Sequence, residues 1–418
     1  MTKITPDLLA GIRDRFAHVE ECPFTGPRIF FENAGGALTL KSVVETTARF
    51  AAIPDNQGRD NPASAALGEI IAKAREDAAT FFNAPGGKIF VGESGTELLF
   101  RTIADACLGT GPGIVLGSTL EHPASRSAAA RWAGVAGKRH VLVPHDDATG
   151  TVTAEAYAAH VTPEVRVATI LHTSPVTGMG MDLPAIAAAI RAVAPDAVII
   201  VDGIQHACHG GIDIAACDVD GYVISPYKVF SRHGYGLAWA SDRLTALPHD
   251  SLLNGPAGNW ELGTRDTGAY ATFSDVVEYF EWLGSALTDA PDPRARIEAA
   301  GRAIHDHEAA LTRAMLHGTG NLPGLAEMEG VGIVGGVDNP AREGLVSFWV
   351  AGRPSPEVVA ALSDQGIRVH TRKADHYSGN VLGPLGRADC VRVSLCHYNT
   401  EAEVAAFLAA MKRILDRA

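Results

Sequence analysis

Cysteine is scarce in this chain and scattered. The 418 residues hold six, Cys22, Cys107, Cys208, Cys217, Cys390 and Cys396, with no C-x-x-C pair and no tight cluster. A disulfide scaffold is excluded by that spacing, and reduced thiols in a cytoplasmic protein are the expectation. Positive charge is also short. Lys and Arg total 35 against 48 Asp and Glu, a formal charge of −13. No basic face is offered to nucleic acid or anionic lipid. No apolar run approaches the length of a bilayer span, so no membrane partner is expected. The opening "MTKITPDLLAGIRDRF" reads as a short amphipathic helix and lacks the apolar core of a signal peptide. Repeats and low-complexity segments are missing as well.

What remains is ordinary globular composition, 46% hydrophobic and 20% charged. From about residue 29 to 290, short apolar runs alternate with helical stretches. "KIFVGES" precedes "TELLFRTIADACLG", "GIVLGST" precedes "PASRSAAARWAGVAG", and "VRVATILHTS" precedes "LPAIAAAIRAVA". "AVIIVDG" leads on to "GYVISPYK" and "GYGLAWAS". This alternation predicts an α/β fold with crossover units and a mostly parallel sheet. In "MDLPAIAAAIRAVAP", Asp182 is placed to cap a helix that has Pro184 in its first turn. Proline and charge rise together in "DAPDPRARIEAAGRA", which marks a boundary near 290. Three segments follow: 1–28 as an N-terminal segment packing on the small domain, 29–290 as the large domain, 291–418 as a smaller α+β domain. A final helix starts at Thr400, where Glu403 completes a capping box.

One lysine stands out. In "GYVISPYKVF", Lys228 follows a buried-looking strand and is trailed by Val229 and Phe230. The preceding strand-like run, "AVIIV", ends in Asp202. Ends of parallel strands are where open α/β sheets bind ligands. A bare salt bridge is the bland explanation of the two residues. Two further loops argue for more. "VGESGTELLF" places Gly92, Ser94, Gly95 and Thr96 between a strand and a helix, where free amides suit phosphate, although no Walker ending is present. "STLEHPAS" sets His122 after another strand. A phosphate loop, an amine, a carboxylate and an imidazole on one sheet edge describe a site for pyridoxal 5′-phosphate. There the lysine bonds the aldehyde and the aspartate keeps the ring nitrogen protonated.

The motifs, taken in order, resemble the class V aminotransferase-like family of pyridoxal-phosphate enzymes, to which cysteine desulfurases and selenocysteine lyases belong. The resemblance implies the aspartate-aminotransferase-like architecture, PLP fold type I: a large domain with a mostly parallel mixed sheet plus a smaller C-terminal α+β domain. It implies Gly95 and Thr96 as phosphate contacts, from "GESGTELLF", and His122 stacked on the cofactor ring, from "EHPASRSAAARWA". From "VDGIQHA" it implies Asp202 on the pyridine nitrogen and Gln205 on the ring hydroxyl. "SPYK" implies Ser225 on the phosphate and Lys228 as the Schiff-base lysine. "IFFENAGG" brings Asn33 to the substrate, and "RVSLCHYNTEAEV" makes Arg392 the clamp on its carboxylate. "WELGTRDT" implies a homodimer with a shared active site, Thr264 reaching the neighbour's phosphate.

Departures from the family pattern bear on the reaction. In "HTRKADHYSGNVLG", Tyr377 stands about where cysteine desulfurases carry their persulfide cysteine. "HTSPVTG" puts Pro175 at a usual asparagine, leaving Gln205, Thr173 or Ser174 to serve the ring oxygen. Arg265, Arg372, Lys373 and His376 suit a substrate with a second acidic group, or else are solvated surface charges. The favoured expectation is β-elimination from a cysteine- or selenocysteine-like amino acid, with Lys228, Asp202 and His122 catalytic and Asn33, Arg392, Arg372 and Tyr377 around the substrate. Transamination or epimerisation is the alternative, and a non-catalytic binding or assembly protein the alternative of a different class. "GVGIVGG" carries a literal G-x-G-x-x-G but lacks the strand–helix context. "HACH" hints at a metal with His206 and His209, yet no third ligand is spaced nearby, and no metal is expected.

Overall fold

The computed structural model describes residues 3–256 and 258–416. Its large sheet has seven strands: β1 (Lys88–Gly92), β2 (Ile114–Ser118), β3 (Arg139–Val143), β4 (Val165–Leu171), β5 (Val198–Asp202), β6 (Gly221–Ile224) and β7 (Gly236–Ala240). Their spatial order is β1-β7-β6-β5-β4-β2-β3. The five strands from β2 to β6 run parallel, while β7 pairs antiparallel with both β6 and β1. The central strands are buried on both faces, which is why "VIIVD" and "GYVI" show no polar alternation. Register sets Asp202 opposite Val223. The C-terminal ends of β5 and β6 therefore open side by side, as required for a strand-end site.

Helices α1 (Gly95–Gly109) and α2 (Pro123–Val135) follow β1 and β2 and start at that same edge. Ser94 caps α1, its Oγ accepting the Glu97 amide at 3.1 Å. The expected cap of the helix Leu183–Val193 forms too, with the Ala185 amide donating to Asp182 Oδ1 at 3.1 Å.

A second, four-stranded antiparallel sheet holds β8 (Val331–Ile333), β9 (Leu345–Val350), β10 (His370–Lys373) and β11 (Asp389–Ser394), in the order β8-β9-β11-β10. Its own core includes Val346, Phe348, Val391, Val393, Phe407 and Met411. The helix Pro293–His317 crosses between the two cores: Ile297 and Ile304 join the large one, Leu311 and Met315 the small one.

Two boundaries differ from the sequence reading. Residues 29–31 side with the small core, since Ile29–Phe30 pairs in parallel with Ile367–Arg368 and Phe31 is buried against Phe407. Conversely, the N-terminal segment does not pack mainly on the small domain. Ile4, Ile12 and Phe16 join the large core, Phe16 against Phe230 and Tyr279, while Phe16 also meets His397 and Tyr398 and Arg13 reaches across to the Tyr398 carbonyl and Glu403. Short apolar side chains near a terminus carry no mark of which core will bury them. Among the described residues no helix is long and apolar enough to cross a membrane.

Candidate active site

A cavity opens at the strand-end edge, lined among others by Thr96, His122, Asp202, Gln205, Ser225 and Lys228. β5 delivers Asp202 and the turn after it Gln205; β6 delivers Ser225 and the single 3-10 turn Pro226–Lys228. Thr173, Pro175, Ile204 and Tyr227 complete much of the wall.

Asp202 ends the cavity from below. Its Oδ1 accepts the Ile204 amide at 3.1 Å and its Oδ2 the Ser125 hydroxyl at 3.3 Å. Burial pushes this carboxyl up to about 6, against the pull of the Ile204 amide and the Lys228 charge. The Lys228 amine donates to Gln205 Oε1 at 3.3 Å. Burial, and then the Arg392 charge, push it down to about 8, with Asp202 opposing. His122 is the N-cap of α2, its Nδ1 accepting the Ala124 amide at 3.2 Å. Burial, with Lys228 and Arg372 adding to it, pushes that ring down to about 3. It is therefore neutral at physiological pH and carries its proton on Nε2.

The residues fit a phosphate-bearing pyridine aldehyde. Amides in the first turn of a helix have no intrahelical partner, and α1 begins with Gly95 and Thr96. Gly95 has to be glycine here: a Cβ would stand 2.4 Å from Ser225 Oγ. The bare backbone and that hydroxyl together form the cradle a phosphate needs. The neutral His122 ring, the Asp202 carboxyl and the Lys228 amine meet the remaining requirements of a flat cationic ring with an aldehyde.

Other expected residues lie elsewhere. Arg392 is 3% exposed, donates from Nη1 to the Pro175 carbonyl at 3.0 Å, and leaves its buried Nε without a partner. Arg372 shares the face of β10 and β11 with Arg392 and is steadied by Ser378 Oγ at 2.8 Å. Tyr377 stands at the rim, its ring 6.0 Å from that of His122. Asn33 is not brought to the cavity. It is fully buried, donates to the Ser394 carbonyl at 2.7 Å and accepts from Tyr398, so both its polar ends are engaged. Thr264 is exposed and away from this chain's own cavity, and its neighbour Arg265 pairs with Glu93. Thr173 lines the wall but donates to Glu343 at 2.9 Å, which leaves Gln205 better placed for a ring oxygen.

The His206–His209 pair does not converge on one point. His206 Nδ1 lies 2.8 Å from Glu343 and His209 Nδ1 lies 2.7 Å from Glu308. Instead Cys208, His209 and Cys396 bring donor atoms within 4.8 Å of one another. Sequence reasoning missed Glu308, Glu343, Ser125 and Tyr227. Tyr227 and Ser125 had a signal, their places inside "SPYK" and "EHPAS".

Layered α/β architecture, with a lysine at one strand end and a carboxyl at the next, is the arrangement of PLP fold type I. The chain belongs to the aminotransferase class-V family, whose profile matches residues 29–291 and 294–407. It is 29% identical over 402 residues to the nonribosomal peptide synthetase-like enzyme fsqF of Aspergillus fumigatus, 92% of this chain but 26% of that protein. It is 26% identical to a probable cysteine desulfurase of Mycolicibacterium paratuberculosis, over 98% of this chain and 58% of the relative. The chain thus spans about a quarter of the first relative and just over half of the second. The aminotransferase-like protein FGM3 of Gibberella zeae is 26% identical over 97% of this chain and 98% of its own. The fold is shared with an apo cysteine desulfurase from Thermococcus onnurineus NA1, at TM-score 0.81 and 22% identity, covering 96% of this chain and 98% of that one. The cysteine desulfurase CsdA of Escherichia coli gives 0.78 and 23%, covering 98% of each.

Proposed function

We propose that the enzyme binds an α-amino acid and breaks a bond at its β-carbon, without a persulfide relay. One observation carries the reading: Arg392 is a buried guanidinium whose charge reaches the Lys228 amine, while Glu32, the carboxylate acting on it through space, is bridged to Arg368 and His370 instead. A buried cation without its anion is costly and fits a site that waits for a carboxylate. None of the six cysteines lines the cavity, and five of them are buried. The relay is thereby left without a nucleophile.

Bound pyridoxal 5′-phosphate supplies an electron sink joined to the substrate α-carbon. Gly95, Thr96 and Ser225 would hold its phosphate, Asp202 its ring nitrogen, Gln205 its hydroxyl and His122 its ring face. Lys228 would hold its aldehyde. The same amine, when free, would take the substrate α-proton at Nζ, a task suited to a group held near 8. Arg392 fixes the substrate carboxylate and so the orientation of the bond that breaks. Arg372, on the same sheet face, favours a substrate with a second acidic group. Thr264, exposed on its loop, would serve the cofactor phosphate of a second copy in a homodimer.

The test is product analysis over a panel of amino acids. Ammonia and keto acid released with no amino acceptor support elimination. Turnover that needs a second keto acid means transamination, and inversion without release means epimerisation. Sedimentation of the active form as a monomer would remove Thr264 from the site.

A further inference from the structure

From Gln205 and Lys228 a line of buried polar groups runs on to two residues, His209 and Glu308, that the chemistry above does not use. Gln205 Oε1 takes the Lys228 amine at 3.3 Å. The other end of that amide, Nε2, lies 3.0 Å from His209 Nε2. His209 Nδ1 in turn lies 2.7 Å from Glu308 Oε2. All four residues are buried. Close packing encloses the far end: a Cβ on Gly344 would stand 2.5 Å from Glu308 Oε2 and 3.0 Å from His209 Nδ1. One on Gly301, in the helix that carries Glu308, would stand 2.8 Å from the Gly211 amide nitrogen.

An amide accepts at one end and donates at the other. While Lys228 is an ammonium it can only donate, so it takes the Gln205 carbonyl. The Gln205 NH2 then faces His209 Nε2, which has to be bare, and the His209 proton sits on Nδ1 towards Glu308. A second proton on His209 reverses the order. The new Nε2–H needs the Gln205 carbonyl, the amide turns over, and its NH2 faces Lys228. Only an uncharged amine accepts that bond.

We propose that Glu308 and His209 are positioning residues for Lys228: through Gln205 they let the imidazole and the amine hold one extra proton between them, not two. The proposal rests on the reading of Lys228 as the amine that bonds the cofactor. Its effect is to favour the free amine by parking the proton on His209. The surroundings suit the exchange. Lys228 is faced by Arg392, Asp202, Cys208 and Arg372, and by His122 across the cavity. His209 is faced by Cys208 and Glu308, by Glu343, His206 and His397, and by Cys396. Burial works against a charged His209, and Cys208 and Glu308 outweigh it, raising the ring well above its ordinary value.

The experiment is the rate at which the full apo chain captures pyridoxal phosphate, followed by absorbance across pH. Burial pushes Glu308 itself up to about 7, with His209 opposing, so its charge is shared with the ring it faces. Glu308→Gln keeps both hydrogen-bonding ends and removes that charge, which draws the second proton to His209. Capture at pH 7 should fall about tenfold, with the rate at pH 10 unchanged. A simple through-space effect has the opposite sign: losing an anion makes the amine shed its proton more easily, and capture at pH 7 rises. A rise, or no change, overturns the relay. Failure of the unaltered chain to capture the cofactor at any pH overturns the reading of Lys228 itself. A second measurement needs only the unaltered chain. In a 15N-histidine spectrum a neutral His209 should carry its proton on Nδ1; a proton on Nε2 instead overturns the relay. Stoichiometric zinc held by Cys208, His209 and Cys396 would claim the ring nitrogen and overturn it as well.

Discussion

Lys228 and Asp202 face one cavity without pairing. The amine donates to Gln205 at 3.3 Å, while the carboxyl takes its bonds from Ser125 and Ile204. A bare salt bridge, the bland explanation of two polar residues at neighbouring strand ends, is therefore not what they form. Each keeps a free side towards the same space, and burial moves the two groups towards each other, to about 8 and about 6. Titratable groups brought close in this way are a mark of acid–base chemistry rather than of a structural ion pair.

Lys228→Ala removes the covalent anchor and the α-proton acceptor in one step. Borohydride should no longer fix pyridoxal phosphate to the chain, and turnover should fall below detection. Labelling of another lysine with activity retained would assign the anchor elsewhere.

Arg392→Ala leaves the Pro175 carbonyl without its donor and the substrate carboxylate without its clamp. Amino-acid binding, read from the shift in cofactor absorbance, should weaken by about 2–5 kcal/mol. Arg392→Lys keeps the charge but loses the fork, and should recover part of that loss. Unchanged affinity in both variants would give the clamp to another residue, Arg372 being the nearest cation on that face.

Much of this arrangement was legible in the sequence, for local reasons. Runs such as "AVIIVDG" have one reading, because an unbroken β-branched stretch is a doubly covered strand, and its first polar residue marks the edge. The Thr400–Glu403 box is equally local, and it forms in both directions, at 2.9 and 3.1 Å. Glu308 and Glu343 escaped notice. They meet His209 and His206 across 99 and 137 residues of chain. Glu308 sits in an amphipathic helix and Glu343 in a loop, and a glutamate in either place reads as solvated until the partner is seen. Asn33 shows the converse: its motif speaks for the substrate, while the contacts it makes in the fold, to Ser394 and Tyr398, lie more than 360 residues away in the chain and carry no local mark.

Thiol chemistry offers a test of the missing relay. Partial burial pushes the Cys217 thiol up to about 11, whereas hydrogen bonds from Thr25 and Phe24 hold Cys22 down to about 7. Cys22 is the thiol that reacts first, and neither residue lines the cavity. Brief treatment of the folded enzyme with iodoacetamide should therefore leave turnover intact, and no protein-bound persulfide should build up with cysteine as substrate. Loss of activity together with one alkylated cysteine would restore the relay.

Glu121 tests the electrostatics of the core beside the site. Its carboxylate accepts the Thr169 hydroxyl at 2.8 Å and the Ser118 amide at 2.9 Å, and burial pushes it up to about 7 from an ordinary value of 4.5. The sign follows from proton counting. Between about 4.5 and 7 the folded chain keeps a proton that the unfolded chain has lost, so stability falls as pH rises through that window. Glu121→Gln keeps an acceptor for both bonds and cannot ionise. The variant should match the parent near pH 4.5 and exceed it by about 3 kcal/mol above pH 7, as read from urea midpoints at the two pH values. A gap that does not change with pH would mean Glu121 is ionised throughout, with a compensating cation in reach.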